Sequence, residues 1–425
     1  MKVDLKAQIL DFGQRARQAS RALARLSTAQ KNDALRAMAD EIVAQSDPIL
    51  AANEEDLASA RSRNLPGAML DRLTLDKARI EKMAHGVRQV ADLPDPVGEV
   101  MREWTQPNGI RIAKMRVPIG VVGIIYESRP NVTSDAAVLC TKTGNATILR
   151  GGSESIHSNV AIAQALQAGG AKAGLPNDSI LLIPRTEREA VRHMAEMDRY
   201  IDLIVPRGGK ALIEAVVSVA RMPVIKHSDG ICIVYVDQEA DLEMAANIVV
   251  NAKAQRPGVC NAIETVLVHR AVVADFSRLL APRLAEKSVE LRADQAAHAE
   301  FSALGYSSLK PAQDEDWSTE FLDYILAVKT VASPNEAIAH IDRFGSHHSD
   351  CIVTGNEELA ERFLREVDSA TVYWNASTRF TDGSEFGFGA EIGISTDKLH
   401  ARGPMGLEEL TTYKYVIRGT GQIRK

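Results

Sequence analysis

Short apolar runs alternate with longer, helically patterned segments between residues 118 and 236. The apolar runs predict strands over residues 120–126, 146–150, 180–183, 203–205, 224–226 and 231–236. The segments between them predict helices over residues 134–143, 153–168, 187–197 and 210–219. Strands and helices that alternate in this way form a parallel sheet of the doubly wound type, so we expect an α/β fold here.

The chain before this region has a predominantly helical pattern. Apolar positions recur at helical spacing over residues 4–26 and again after Ser27, which has the capping-box spacing with Gln30. A further helix is expected over residues 76–90. We expect these helices to pack against the sheet rather than to form a surface that binds a partner protein.

Asn108 and Gly109 lie between two extended segments, residues 99–105 and 110–117. Asn-Gly is a strong signal for a tight turn, so this region predicts a β-hairpin. In residues 410–418, the large side chains of Tyr413, Tyr415 and Ile417 occupy alternate positions. We expect this tail to be a strand that pairs either with the hairpin or with another subunit.

A second alternating series follows residue 241. It predicts helices over residues 242–252, 272–287, 334–344 and 357–367, and strands over residues 263–269, 321–331, 349–354 and 370–375. A glycine-rich loop is expected over residues 381–393.

Composition and charge exclude several classes of protein. The 425 residues, 25% charged and 45% hydrophobic, are typical of a globular protein with two or more domains. The net charge of −6 argues against binding to nucleic acid or to anionic membranes. The sequence shows neither a bilayer-length apolar run nor a signal-peptide pattern, so we expect a cytoplasmic protein. Its four separated cysteines predict neither a disulfide framework nor a metal site, and the adjacent His347 and His348 predict a surface or loop pair.

Cys260 differs from the other three cysteines. Cys140, Cys232 and Cys351 lie in apolar runs, the usual environment of a buried free cysteine. Cys260 follows a Pro-Gly turn signal and the cation Arg256. A thiol becomes nucleophilic when it is partly exposed and a positive field favours the thiolate. The local pattern fits two roles for Cys260 equally well. It is either a nucleophile or simply a residue at the start of the next apolar strand.

Two glycine pairs occur where predicted strands end. One is Arg150-Gly151-Gly152-Ser153, and the other is Arg207-Gly208-Gly209-Lys210, which opens a predicted helix. Paired glycines before a helix let backbone amides approach a phosphate, and the two arginines suit an extra ribose phosphate. The sequence therefore predicts a dinucleotide site that prefers NADPH, although the Gly-x-Gly-x-x-Gly fingerprint does not follow the first strand.

Five motifs in a fixed order resemble those of the aldehyde dehydrogenase superfamily. They lie at residues 126–132, 149–154, 205–210, 256–261 and 399–407. The resemblance implies an aldehyde dehydrogenase-like α/β fold with two doubly wound parallel-sheet domains and a β oligomerisation flap. It places an NADP-binding domain at residues 1–98 and 118–240, a catalytic domain at 241–375 and the flap at 99–117 and 376–425.

The same resemblance assigns roles to individual residues. Cys260 takes the position of the nucleophile, and Asn131 that of the asparagine that holds the oxyanion. Arg150 stands where many relatives have a lysine near the cofactor ribose. Glu320 matches the cofactor-binding glutamate, with one spacing residue missing. Arg129, Arg256 and Arg379 are the candidates for holding the substrate's amino and carboxylate groups.

The resemblance is greatest to the branch of the superfamily that reduces an acyl phosphate. It implies NADPH-dependent reduction of L-glutamyl 5-phosphate to L-glutamate 5-semialdehyde through a cysteine thioester, in proline biosynthesis. The implied partners are this small-molecule substrate, further copies of the chain in a dimer or tetramer, and a glutamate kinase coupled to it in function. Neither nucleic acid, membrane nor metal is implied.

Hydrolytic relatives carry a water-activating glutamate in a segment that aligns with residues 226–230, and this chain has none there. Oxidation of an aldehyde to an acid requires water to cleave the thioester, and a positioned base helps. Reduction of an acyl phosphate has no such step, so the missing glutamate fits that reaction. His227 and Asp229 are the other candidate bases, and a structural role in the turn is favoured for both.

Two alternatives remain open. A reductase that uses an acyl-CoA would share the cysteine, the asparagine and the cofactor loops, and a substrate assay separates it. A non-catalytic assembly protein with the same fold would not need Cys260 or Asn131, yet both are present.

Overall fold

The computed structural model describes residues 4–226 and 229–424. The chain divides into two compact units. The first contains the chain up to Lys226, together with Gly387–Gly393 and the C-terminal segment from Met405. The second unit contains the chain that follows Lys226, up to Phe386, together with Ile394–Pro404.

Helices occur in both units. The α-helices are α1 (Leu5–Leu23), α2 (Thr28–Ala44), α3 (Ser46–Ser62), α4 (Gly67–Leu73), α5 (Lys77–Asp92), α6 (Asn131–Lys142), α7 (Ile156–Lys172), α8 (Arg188–Ala195), α9 (Lys210–Val219), α10 (Leu242–Ala254), α11 (Val273–Glu286), α12 (Gln295–Ala303), α13 (Pro334–Phe344) and α14 (Glu357–Glu366). Short 3-10 turns lie at Ser153–Ser155, Asp314–Ser318, Thr378–Phe380 and Glu408–Leu410.

The strands are short and mostly parallel. They are β1 (Val100–Thr105), β2 (Arg111–Pro118), β3 (Val121–Tyr126), β4 (Ala146–Arg150), β5 (Ile180–Leu182), β6 (Leu203–Arg207), β7 (Cys232–Val236), β8 (Ile263–His269), β9 (Glu290–Ala293), β10 (Leu309–Pro311), β11 (Ile325–Val331), β12 (Ser349–Val353), β13 (Thr371–Trp374), β14 (Ile394–Ser395), β15 (Gly403–Pro404) and β16 (Thr411–Arg418).

The first unit is built on a parallel sheet with the strand order β5-β4-β3-β6. All residues of β3 and β4 are buried. Burial on both faces explains why these strands are continuous apolar runs rather than alternating ones. The doubly wound α/β pattern predicted for this region is confirmed, and the predicted strand at residues 224–226 is reduced to a single bridge between Val224 and Ile204.

The N-terminal helices pack on the helical layer of this sheet. The predicted capping box at the start of α2 is confirmed, because Ser27 Oγ accepts from Gln30 N at 3.3 Å and Gln30 Oε1 accepts from Ser27 N at 2.9 Å. Gly169 of α7 lies so close to α2 that a Cβ there would be 2.5 Å from Met38 Cα. This close approach explains a glycine inside α7 despite its low helix propensity.

The predicted hairpin at Asn108-Gly109 is present. It forms an antiparallel sheet in the order β1-β2-β16, in which Thr411 pairs with Pro118 and Arg418 with Arg111. Of the two pairings expected for the C-terminal tail, the structure has the one with the hairpin.

The second unit contains a parallel sheet in the order β10-β9-β11-β8-β7-β12-β13. It confirms the second doubly wound domain. Sequence patterns missed β9, α12 and β10, because these elements are short and carry several charged or polar residues. The strand predicted from residue 321 begins only at Ile325, since Leu322 has a positive φ of 54°.

The segments predicted to form the flap are divided between the two compact units. β1, β2 and β16 belong to the first unit, and residues 376–386 and 394–404 belong to the second. The flap joins the first unit because β2 runs almost directly into β3, and because Asn145 Nδ2 donates to the carbonyl of Leu410 at 2.8 Å. Within the described residues, every helix is too short or too polar to cross a membrane.

Candidate active site

Cys260 lies in the loop that joins α10 to β8 in the second unit. Pro257 follows α10 and prevents its continuation, so the chain turns before β8 begins at Ile263. Cys260 is half-buried, whereas the other three cysteines are buried. Burial raises the pKa of Cys140 and Cys351 to about 12 and also raises the pKa of Cys232. Cys260 is thus the accessible thiol of the chain, as its sequence context predicted.

The segment before β7 lies directly against this loop. A Cβ on Gly230 would be 2.5 Å from Cys260 Cα and 2.3 Å from the Cys260 carbonyl oxygen, so only glycine fits. The Gly230 amide donates to Glu320 Oε1 at 2.9 Å. Glu320 is therefore connected through Gly230 to the backbone of Cys260. Of the two candidate bases in this segment, Asp229 is described and His227 lies outside the described residues.

The residue after the cysteine is held by the turn at residues 377–381. The buried Asn261 side chain donates from Nδ2 to the carbonyl of Thr381 at 2.8 Å, and Thr378 Oγ1 donates to the Asn261 carbonyl at 2.7 Å. Sequence patterns pointed to this turn only through Arg379 and did not connect it with Asn261, because the two segments are more than a hundred residues apart. These bonds fix the backbone on the C-terminal side of Cys260.

Arg379 extends from the same turn onto the cysteine loop. Its Nε donates to Gln255 Oε1 at 2.7 Å, and its Nη1 also contacts Asn261 Oδ1. Burial and the nearby charge of Arg256 lower the pKa of Arg379, whereas Cys260 raises it. Arg379 thus lies close enough to Cys260 for an electrostatic attraction, and close enough to Arg256 to be repelled by it.

A buried thiol and imidazole lie behind the loop. Cys232 Sγ donates to the carbonyl of Cys260 at 3.2 Å and lies 3.6 Å from His348 Nδ1. His348 is buried, yet it lies in the loop before β12, so the predicted surface or loop pair is a loop pair whose second member is not at the surface. His347 is exposed, and its Nδ1 lies 2.9 Å from the Asp368 carbonyl. Two adjacent histidines can differ in this way because His348 immediately precedes the buried strand β12.

In the first unit, Arg150 ends β4 and is only 7% exposed. Its Nη2 donates to the carbonyl of Thr186 at 2.8 Å, while its Nε is buried with no hydrogen-bond partner among the described residues. The next residues leave no room for side chains, because a Cβ on Gly151 would be 2.1 Å from Asn159 Nδ2. Gly152 is equally close to Glu154, and Ser153 then begins the 3-10 turn.

The second glycine pair opens α9, whose first residue is Lys210. The amide of Gly209 donates to Glu127 Oε2 at 2.9 Å, and a Cβ on Gly208 would be 2.5 Å from the same oxygen. A carboxylate oxygen already binds at this helix N-terminus, where a phosphate oxygen would find the same donor. Arg207 ends β6 beside this amide.

Asn131 is the first residue of α6, just after β3, and its side chain is exposed. The position is fixed on its N-terminal side, since Ser128 donates from N and from Oγ to Glu154 Oε1, each at 2.6 Å. Arg129 is exposed between these two residues. The carboxyl end of β3 therefore presents Asn131 and Arg129 at the edge where ligands of such sheets bind.

These residues fit a dinucleotide. A buried guanidinium nitrogen without a hydrogen-bond partner among the described residues and an N-terminal amide suited to an anion are expected components of such a site. Among the described residues there is no group of three or more His, Cys, Asp or Glu side chains that could hold a metal ion.

Residues 4–301 match the model of the aldehyde dehydrogenase family. The chain is 54% identical over 425 residues to a gamma-glutamyl phosphate reductase of Caldanaerobacter subterraneus subsp. tengcongensis, which covers 100% of both chains. The corresponding protein of Paramagnetospirillum magneticum is 53% identical over 421 residues, with 99% of this chain and 98% of that protein covered.

A similar fold occurs in solved structures. A crystal structure of gamma-glutamyl phosphate reductase from Thermotoga maritima has a TM-score of 0.95 and 43% identity, and covers 98% of this chain and 100% of that chain. An acetylating aldehyde dehydrogenase from Geobacillus thermoglucosidasius has a TM-score of 0.70 at 17% identity, which shows a common fold.

Proposed function

Because the chain belongs to the aldehyde dehydrogenase family, we propose that it reduces L-glutamyl 5-phosphate to L-glutamate 5-semialdehyde and inorganic phosphate, a step of proline biosynthesis. The observation that carries this proposal is the full-length similarity to gamma-glutamyl phosphate reductases. Enzymes of this family use a nicotinamide cofactor. The accessible thiol of Cys260, beside Arg256 and Arg379, supplies the nucleophile that such a reaction needs.

The reaction begins with attack of the Cys260 thiolate on the acyl carbon. A carbon–sulfur bond forms, and the carbon–oxygen bond to phosphate breaks as phosphate leaves with the electron pair. NADPH, when bound, supplies the hydride that reduces the acyl group. The Asn131 side chain and the Cys260 amide stabilise the resulting oxyanion, and the thiolate leaves when the carbonyl re-forms. Cys260 is thus regenerated for the next turnover.

The loop around Cys260 is suited to this work because its backbone is held on both sides. Gly230 packs against Cys260, and Asn261 is bonded to Thr378 and Thr381. A backbone amide stabilises an oxyanion efficiently only if it is already in place before charge develops. These contacts therefore support the role of the Cys260 amide.

The cofactor is assigned to the glycine loops of the first unit and to Glu320. The residues proposed to bind it are Arg150, Gly151, Gly152, Ser153, Arg207, Gly208, Gly209, Lys210 and Glu320. The support for NADPH rather than NADH is the pair of arginines at the ends of β4 and β6, which suit a ribose phosphate. Arg129, Arg256 and Arg379 remain the candidates for the substrate's carboxylate.

The chain is proposed to act as a homo-oligomer in the cytoplasm, with functional coupling to a glutamate kinase. The support for assembly is the flap. Its strand β16 exposes large side chains, with Tyr415 at 55% and Ile417 at 61%. Exposed aromatic and aliphatic side chains on a β-ribbon are typical of a surface that another subunit covers.

The direct test mixes the protein with NADPH and freshly prepared glutamyl phosphate. The oxidation of NADPH is measured as a fall in its absorbance. We expect turnover that requires Cys260 and is faster with NADPH than with NADH. Acyl-CoA substrates, offered in parallel, address the alternative of an acyl-CoA reductase. Absence of turnover with glutamyl phosphate, or preference for an acyl-CoA, would refute the proposed substrate. If the protein showed no reactive thiol and did not bind NADPH, the alternative of a non-catalytic assembly protein would be favoured.

A further inference from the structure

The first turn of α6 holds a polar pair made of Asn131 and Asp135. Asn131 begins the helix, and Asp135 lies one turn later. Asn131 Nδ2 donates a hydrogen bond to Asp135 Oδ2 at 2.8 Å. Residues four positions apart share one face of a helix, so this contact is built into α6 itself.

We propose that Asp135 is a positioning residue that orients the Asn131 amide so that one of its N–H groups serves the oxyanion. The inference rests on the proposed function, from which it takes the role of Asn131. Asp135 itself does not touch the substrate in this proposal and acts through Asn131.

The chemistry of the two side chains explains why orientation matters. An asparagine amide has two ends of nearly equal shape, of which only the nitrogen donates. Its oxygen, turned toward an oxyanion, would repel the charge. An ionised carboxylate only accepts, so Asp135 binds the nitrogen end and disfavours the flipped amide. The nitrogen carries two N–H groups, and the bond to Asp135 uses one of them.

The environment of Asp135 makes this orientation depend on pH. The carboxyl is half-buried, and burial raises its pKa to about 6, while the bond from Asn131 and the charge of Arg207 lower it. Arg207, at the end of β6, is the charged group that acts on this carboxyl from a neighbouring strand. Below this pH the protonated acid can donate to the amide oxygen and so favours the flipped amide. Turnover should therefore fall as the pH drops through about 6.

The test is a double-mutant cycle measured as kcat with saturating NADPH and glutamyl phosphate. We expect Asn131→Ala to lower kcat by about a hundredfold to a thousandfold. Asp135→Ala should lower it by about tenfold or more, because the amide is misplaced rather than lost. The double variant should be no slower than Asn131→Ala, since Asp135 acts through Asn131. NADPH affinity and the unfolding temperature are recorded for each variant.

Two further variants sharpen the test. Asp135→Asn can donate as well as accept and cannot ionise, so it should mimic the protonated acid: kcat at neutral pH should be reduced toward the value that the wild type has below pH 6, and the decline near pH 6 should be lost. The matched control is Glu366→Ala, which removes an exposed carboxylate bonded at the same spacing to Arg362. This control should leave kcat unchanged.

The outcomes separate the two proposals. A wild-type rate in Asn131→Ala would overturn the role of Asn131 and with it the proposed mechanism. A slow Asn131→Ala beside a fully active Asp135→Ala would overturn the positioning role alone. So would losses that multiply in the double variant, or an acidic decline that persists in Asp135→Asn.

Discussion

Lys253 Nζ lies 2.6 Å from Glu264 Oε2, and both side chains are completely buried. Lys253 is in the last turn of α10 and Glu264 is the second residue of β8, so the pair spans the loop that carries Cys260. Glu264 also accepts a hydrogen bond through Oε1 from the amide of Leu322 at 3.3 Å. Burial lowers the pKa of Lys253 and raises that of Glu264 to about 7, and each partner opposes the shift of the other. The ion pair therefore connects the two ends of the loop that carries Cys260.

Lys253→Met should destabilise the protein strongly. Removal of one partner leaves an uncompensated buried carboxylate, which costs about 3–5 kcal/mol. Lys253→Met/Glu264→Leu replaces the pair by apolar groups and should recover most of the loss. The measurement is the urea midpoint of unfolding. Asp275→Ala, which breaks an exposed pair with Arg278, is the control and should leave the midpoint unchanged. Equal midpoints for the single and double variants would contradict this account.

Cys260 should be the first thiol modified by iodoacetamide in the folded protein. It is half-buried, whereas burial removes Cys140, Cys232 and Cys351 from contact with the reagent and raises their pKa values. We expect one modified site per chain at neutral pH, located by mass spectrometry, together with loss of turnover.

Cys260→Ser should abolish turnover with little change in NADPH affinity, because the thiol supplies chemistry rather than stability. Cys140→Ser is the contrasting variant. It places a hydroxyl in the apolar interior of α6 and should lower the unfolding temperature. Near-normal turnover by Cys260→Ser would rule out a covalent mechanism.

Sequence patterns predicted the two parallel sheets because strands buried on both faces, such as β3 and β8, are continuous apolar runs. They also singled out Cys260, because a Pro-Gly turn and a cation differ visibly from the apolar context of the other cysteines. The role proposed for Asn131 came from ordered motifs, whereas that proposed for the glycine loops came first from their positions at the ends of predicted strands.

Contacts between distant segments could not be predicted in this way. The bond of Asn261 to Thr381 joins residues 120 positions apart, and nothing in either segment indicates the other. Lys253 and Glu264 are only 11 positions apart, yet a helix and a strand separate them, and charged residues are normally read as exposed. The hydrogen bond from Asn131 to Asp135 could have been predicted from the sequence, because residues four positions apart face each other on a helix.

Arg207→Ala should weaken NADPH binding by about tenfold while leaving NADH binding nearly unchanged. The expected loss is that of a charge-assisted hydrogen bond to the additional phosphate. Fluorescence titration with both nucleotides measures it. Arg61→Ala, which removes an exposed arginine paired with Glu54, is the control. If the wild-type protein bound NADPH and NADH with equal affinity, the proposed preference for NADPH would be wrong.

A change of opposite sign is expected at Glu127, whose carboxylate binds the Gly209 amide at 2.9 Å. Glu127→Gln keeps an acceptor there but removes a negative charge beside the proposed phosphate position. NADPH binding should therefore tighten, and the gain should shrink as salt is added. Weaker binding would mean that the Glu127 carboxylate contacts the cofactor directly.

The reverse reaction should depend on inorganic phosphate. Oxidation of glutamate 5-semialdehyde leaves an acyl group on Cys260, and the aligned segment at residues 226–230 holds no glutamate to activate water. The thioester should then persist until phosphate attacks it, with arsenate as a substitute. Without either anion we expect a burst of at most about one NADPH per active site.

The experiment mixes protein, NADP and semialdehyde and follows absorbance with and without phosphate. Asp229→Asn serves as the matched variant, because it removes the described candidate base of that segment while keeping its shape. An unchanged burst in this variant would show that Asp229 is not needed for acylation. Sustained formation of NADPH and free glutamate without phosphate would show that water is activated after all. Loss of that activity in Asp229→Asn would then identify Asp229 as the base, and the chain would be a hydrolytic aldehyde dehydrogenase.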